Sequence, residues 1–254
     1  MLAVKDLAVR FGGVTALERV SFEVRPGSIT SVIGPNGAGK TTAFNAITGY
    51  LRPTSGRITY DGVALTGLRP SAIAQRGIVR TFQRTSVFPA LSVEDNVLTG
   101  LHLRGTAGFF AVLAGRRRFV AEERSLVAEA AAIIEFVGLA HRRREAASAL
   151  PYGEQRLVEL AVALAARPRV LLLDEPGAGM TAVEKTVVSG LIRRVREQGV
   201  TILLVEHDMR MVMGISDTVI VLNGGRVIAE GAPVAIQAHP EVIRAYLGAS
   251  AGSA

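Results

Sequence analysis

Gly34-Pro35-Asn36-Gly37-Ala38-Gly39-Lys40-Thr41-Thr42 decides how the rest of the chain is read. The stretch fits G-x-x-x-x-G-K-[ST], follows the apolar run Ile29 to Ile33 and leads into Ala43 to Ile47, whose apolar spacing is helical. Between a strand and a helix, glycines let the backbone curl until several N–H groups point at one anion, and the helix adds its positive N-terminal end. Lys40, read as an exposed loop side chain, reaches the β- and γ-phosphates of a nucleotide, and the Thr41 hydroxyl completes the shell of a magnesium ion. Asn36, Gly37, Ala38, Gly39, Lys40, Thr41 and Thr42 are therefore the candidate nucleotide-binding residues. The 29 basic residues include only three lysines, Lys5, Lys40 and Lys185, so a lysine at this position is hard to read as surface decoration.

A phosphate loop by itself admits GTPases, kinases, helicases and transport motors. Val170-Leu171-Leu172-Leu173-Asp174-Glu175 narrows the choice, being an apolar strand that ends in two carboxylates. Adjacent residues on a strand point in different directions, so Asp174 can hold a metal while Glu175 orients or deprotonates an attacking water. The bland alternative, a helix N-cap ahead of Pro176, accounts for only one of the two. No Asn-Lys-x-Asp occurs, which removes the usual guanine-reading element.

Outward from these motifs the chain alternates strands and helices. Leu2 to Val9, Leu17 to Val24 and Gly56 to Tyr60 read as strands before and after the loop. From Arg169 the alternation resumes with Val170 to Leu173, a helix near Val183 to Glu197, Thr201 to Val205, a short helix after His207 and Val219 to Leu222. Between them, Val93 to Ala166 is rich in Ala, Leu, Glu and Arg and reads as helical. We expect a single domain over 1–254, with an α/β core of 1–92 and 167–248, an inserted helical subdomain of 93–166 and a flexible tail of 249–254. No apolar run approaches the roughly 20 residues that cross a bilayer, and the N-terminus lacks a signal-peptide layout. Zero cysteines exclude disulfides, thiolate metal sites and cysteine nucleophiles. The net charge of +7 comes from arginines scattered over the chain, so no nucleic-acid partner is expected, and the runs Arg116 to Arg118 and Arg142 to Arg144 read as solvated helix ends. The apolar stretch Gly105 to Gly115 reads as a buried element, and His102, His141 and His239 as ordinary histidines without companion carboxylates.

Leu150-Pro151-Tyr152-Gly153-Glu154-Gln155, shortly before the Asp174-Glu175 strand, resembles the signature segment of ATP-binding-cassette (ABC) ATPases. The resemblance covers nearly the whole chain. It matches Gln83 to the glutamine loop and a metal contact, Gly179-Met180-Thr181 to the D-loop, His207 to the switch histidine and Phe11 to the aromatic that stacks on adenine. It implies an α/β P-loop NTPase fold with a RecA-like core, N-terminal antiparallel strands and an inserted helical subdomain. It also implies ATP and Mg2+ as ligands, Glu175 and His207 as the catalytic pair, and two cassettes closing head to tail. Pro151, Tyr152, Gly153 and Glu154 would then face the nucleotide of the partner cassette. Two departures stand out, since the usual signature serine is Pro151 and one usual glycine is Tyr152, while the D-loop aspartate position holds Thr181.

Arg80-Thr81-Phe82-Gln83-Arg84, Gly177 to Met180, Glu206 to Met209, Val212 to Asp217 and Val242 to Gly248 further resemble the ATPases of branched-chain amino-acid importers. That likeness implies two membrane permease subunits, a second ATP-binding subunit, a periplasmic or surface binding protein, and a place on the cytoplasmic face of the membrane. The segment Thr85 to Leu91 would meet a permease helix. A soluble ABC ATPase acting on ribosomes or nucleic acid generally carries two cassettes or a long coiled-coil insertion. An exporter motor of the lipopolysaccharide type should lack the segment from Arg104 to Phe119.

Overall fold

Ile29, Thr30, Ser31, Val32 and Ile33 are all buried because β3 (Ile29–Ile33) is an interior strand covered on both faces. The computed structural model describes residues 1–81, 87–102 and 116–250, with backbone alone at 102, 116–122 and 247–250. Contacts divide the chain into two units, Met1–Arg80 with Arg169–Ala254, and Thr81–Pro168.

In the first unit β3 pairs in parallel with β8 (Thr201–Val205) and β9 (Thr218–Asn223). The six-stranded sheet runs β10-β9-β3-β8-β7-β6, with β6 (Ile78–Arg80), β7 (Val170–Asp174) and β10 (Arg226–Gly231), the last antiparallel. Register places the site, because Val32 and Asp174 both pair with Val205. The phosphate loop, the two carboxylates and the His207 loop thus leave the sheet at one edge, the carboxyl ends of its parallel strands, where α/β folds bind ligands.

The second sheet of this unit runs β2-β1-β4-β5, with β1 (Leu2–Phe11), β2 (Val14–Val24), β4 (Ser55–Tyr60) and β5 (Val63–Ala64). Leu17, Val20, Phe22 and Val24 of β2 are buried and alternate with exposed positions in its second half, the pattern of a strand with one dry face. One apolar cluster joins both sheets to α1 (Lys40–Ile47) through Leu7, Leu17, Phe44, Ile47, Leu172 and Leu203. Burying Phe44 alone contributes roughly 1.5–3 kcal/mol, and its seat holds the start of α1 at the strand ends.

Strand β9 matches the expected Val219 to Leu222, but β10, which closes a hairpin with it, and the segments α2 (Pro70–Ala74), α8 (Pro233–Gln237) and α9 (Pro240–Ser250) lie outside the expected elements, although Asn223-Gly224-Gly225 is a turn signal. Helix α9 runs two residues into the expected tail, and 251–254 lie outside the described residues. The remaining helices of this unit are α6 (Ala182–Glu197) and α7 (Met209–Ile215).

The second unit holds α3 (Val93–His102), α4 (Arg116–Phe136) and α5 (Tyr152–Ala165). Gly100 of α3 lets two helices approach, since a Cβ there would lie 2.5 Å from the Val162 carbonyl oxygen. The unit begins before the change in composition at 93 because Leu91 and Pro89 accept hydrogen bonds from Ala147 and Ser148 at 2.9 and 3.0 Å. Residues 103–115, which hold the whole of the apolar stretch Gly105 to Gly115, lie outside the described residues.

Candidate active site

Each glycine of the phosphate loop has a separate reason to be glycine. Gly34 (φ 150°) passes so close to β9 that a Cβ would lie 2.0 Å from the Leu222 carbonyl oxygen, whereas Gly37 (φ 79°) faces open space. Gly39 occupies the N-cap of α1 and no side chain caps that helix, so its first-turn N–H groups are left to other partners. Lys40 is not an exposed loop side chain: it is only 6% exposed, and its Nζ donates to the carbonyls of Gly34 (2.8 Å) and Pro35 (2.9 Å). Burial pushes this ammonium below the ordinary lysine range, while the neighbouring Glu175 and Asp174 carboxylates pull it back up. Asn36, Gly37 and Thr41 are exposed, Thr42 half-buried and Ala38 buried. An uncapped helix start, space beside Gly37 and a lysine ammonium held within the loop fit a magnesium-bound triphosphate.

The two carboxylates at the end of β7 sit in different surroundings. Asp174 is buried, and its Oδ2 accepts from Arg80 Nη2 at 2.5 Å. Glu175 adopts φ 51°, the left-handed region, while its N–H donates to the Val205 carbonyl at 2.8 Å. A non-glycine residue there costs about 1–3 kcal/mol and persists where the surroundings over-determine it. The turn brings Glu175 Oε1 to 2.7 Å from His207 Nε2. No helix starts at Pro176, so the N-cap alternative for these carboxylates does not hold; the next helix, α6, is capped by Thr181.

Arg80 is the residue of this site that sequence reasoning passed over except as part of a family pattern. Its guanidinium also donates to Asn45 Oδ1 at 2.6 Å and lies 5.6 Å from the centre of the Phe44 ring, so α1 holds the arginine that holds Asp174. Both side chains of the pair are almost fully buried. Arg80→Met should therefore destabilise the chain by about 3–5 kcal/mol, because it leaves a buried carboxylate uncompensated. Urea unfolding reads this, and adding Asp174→Asn should recover part of the loss; an unchanged midpoint in Arg80→Met refutes it.

Comparison with known proteins settles the family. A family model described as ABC transporter matches residues 17–178, and one described as branched-chain amino acid ATP-binding cassette transporter matches 226–252. The high-affinity branched-chain amino acid transport ATP-binding proteins BraF of Pseudomonas aeruginosa and LivG of Escherichia coli are each 43% identical over 249 residues, spanning 98% of this chain and 98% of their own. The chain belongs to the ABC transporter ATP-binding family. Its fold is that of solved ABC cassettes: one in its ADP conformation is 31% identical with TM-score 0.86, covering 98% of each chain. A nucleotide-free one is 30% identical with TM-score 0.85, covering 97% of this chain and 98% of its own.

Within this ABC cassette Phe11 ends β1 and is 51% exposed, and Gln83 lies outside the described residues. In the second unit α5 begins at Tyr152 with Pro151 at its N-cap, Gly153 buried and Glu154 in the first turn. Tyr152 is exposed, and its hydroxyl accepts from Arg156 Nε at 3.1 Å. Glu154 accepts from Arg142 at 3.1 Å and lies 3.9 Å from His141, so His141 does have a companion carboxylate. Arg142 also bonds Glu145, and Arg143 pairs with Glu94; these arginines are engaged by carboxylates of their own unit rather than being merely solvated ends. In the first unit Gly179-Met180-Thr181, expected as the D-loop, runs into α6. Thr181 builds a capping box with Glu184, a task for a hydroxyl at that position. Among the described residues, no helix is long and apolar enough to cross a membrane.

Proposed function

We propose that this chain hydrolyses ATP as the motor subunit of an importer of branched-chain amino acids, or closely related amino acids or amides. The observation that carries the hydrolytic part is the 2.7 Å contact of Glu175 with His207 at the sheet edge that also bears the phosphate loop. Lys40 and the first-turn N–H groups of α1 bind the phosphates, Phe11 offers its exposed ring to the base, and Asn36 to Thr42 shape the cradle. Thr41 and Asp174 would hold Mg2+, with Gln83 as a further expected contact; the metal supplies charge neutralisation on the transferring phosphoryl group. Arg80 fixes the plane of the Asp174 carboxylate. Glu175 takes the proton of the attacking water, and the His207 imidazole, hydrogen-bonded to it, holds that carboxylate in place.

BraF and LivG are named as branched-chain amino acid transport proteins, and this extends to the chain in hand as part of the proposal. It would work at the cytoplasmic face of the membrane with two permease subunits and a second ATP-binding subunit, fed by an external binding protein. Pro151, Tyr152, Gly153 and Glu154 would meet the partner cassette's nucleotide, with Gly179, Met180 and Thr181 along the seam. Reconstitution in proteoliposomes tests the whole reading: leucine-loaded binding protein should raise ATP hydrolysis by the assembled complex. Hydrolysis that no branched-chain or related amino acid alters would overturn the import assignment.

The docking part has its own test. Asn96, fully buried, accepts from the Phe88 N–H at 2.7 Å and donates to the carbonyls of Phe88 (3.1 Å) and Ser92 (2.9 Å), so the backbone at Phe88 is held while the residue is 55% exposed. Phe88→Asp should leave the fold and the basal hydrolysis of the isolated chain unchanged and prevent assembly with the permease. Normal assembly of this variant, measured by co-purification, removes the docking role.

A further inference from the structure

We propose that Glu206, which bears no role in the reading above, is a positioning residue that makes the His207 loop and the turn after Glu175 move as one piece. Glu206 follows β8 and is 3% exposed. Its Oε1 accepts the Gly177 N–H at 2.6 Å, and its Oε2 accepts those of His207 at 2.9 Å and Asp208 at 3.2 Å. One buried carboxylate thus takes three backbone donors from two loops, and hydrogen bonds to an ionised acceptor are roughly twice as strong as neutral ones. Gly177 is shaped to the contact, since a Cβ there would lie 2.8 Å from Glu206 Oε1.

Asp208 repeats the tie on the other side of the histidine. Its Oδ1 accepts from the N–H groups of Arg210 (2.9 Å) and Met211 (3.1 Å) at the start of α7, and its Oδ2 from Lys185 Nζ of α6 at 2.8 Å. Both neighbours of His207 are therefore fastened to the segment 177–185, which starts two residues past Glu175. The His207 side chain is itself 47% exposed, so its own packing does not set the 2.7 Å distance to Glu175. The clamp sets it, and a displacement of the turn at Gly177 is carried to His207.

The test uses the full chain carrying Glu206→Gln, which keeps the side-chain shape but turns one arm into an N–H donor facing backbone N–H groups. In the nucleotide-free protein, amides in 175–180 and 207–211 should exchange with deuterium faster together, by about tenfold or more, while β7 and β8 keep their protection. Because the clamp acts through the pair already assigned to hydrolysis, kcat should fall by roughly 10- to 100-fold with the affinity for a fluorescent ATP analogue unchanged. Introduced into His207→Ala, the substitution should cause no further loss. Acceleration of only one segment or of neither, or full multiplication of the two losses, overturns the proposal. Should Glu206→Gln fail to fold, Gly177→Ala loads the same contact from the opposite loop and must accelerate both segments; unchanged exchange in it is equally fatal. If His207→Ala hydrolyses ATP at the parent rate, the hydrolytic reading fails, while the exchange measurement still decides the clamp.

Discussion

Glu175→Gln should lower ATP hydrolysis by roughly two to four orders of magnitude, the loss expected when a carboxylate that takes a proton becomes an amide of the same shape. The amide can keep the hydrogen bond to His207 Nε2, now 2.7 Å from Glu175 Oε1, so geometry is retained and basicity is lost. The left-handed backbone at Glu175 is unaffected by the exchange, since both side chains carry the same Cβ. ATP bound at the loop would then persist. If the nucleotide bridges the phosphate loop of one cassette to the Pro151 to Glu154 segment of another, the variant should form an ATP-dependent dimer by light scattering, alone or with the companion ATPase. Hydrolysis at the parent rate would remove Glu175 from catalysis. An inactive variant that stays monomeric with ATP in both settings would leave that role standing and remove the head-to-tail pairing.

Lys40→Ala should abolish tight ATP binding in a fluorescent-nucleotide titration, because it removes the one ammonium among the loop residues that can pair with the phosphates. The resting contacts of this side chain add a second expectation. With Nζ gone, the carbonyls of Gly34 and Pro35 lose a donor, which should cost about 1 kcal/mol of stability. The fold should survive this. Lys40→Arg should also fail to bind tightly, because a planar fork does not fit a seat in which one nitrogen donates to two carbonyls at 2.8 and 2.9 Å. Unchanged affinity in either variant refutes the assignment of Lys40.

Much of the site was legible in the chain order alone because its parts are local. A phosphate loop is a run of nine residues whose glycines, lysine and threonines act through their own backbone and side chains, so Gly34 to Thr42 can be read without knowing what packs around it. Asp174 and Glu175 are adjacent at the end of an apolar run, which is legible without knowing that this run is a strand pairing in parallel with β8. What sequence could not state were relations between residues distant along the chain. The ion pair of Arg80 with Asp174 spans 94 positions and the bond of Glu206 to Gly177 spans 29; each depends on which strands are neighbours and in what register. Burial of Lys40 and the left-handed turn at Glu175 are likewise outcomes of packing and backbone geometry, whereas the cap at Thr181 is local and its Thr-x-x-Glu spacing is a signal the sequence carries. Sequence by itself determined the chemistry available, since residue types and short spacings carry it. Only the tertiary structure decided which charges neutralise one another and which loops are tied together, because hydrogen bonds and ion pairs are set by distances of a few ångströms that chain order does not contain.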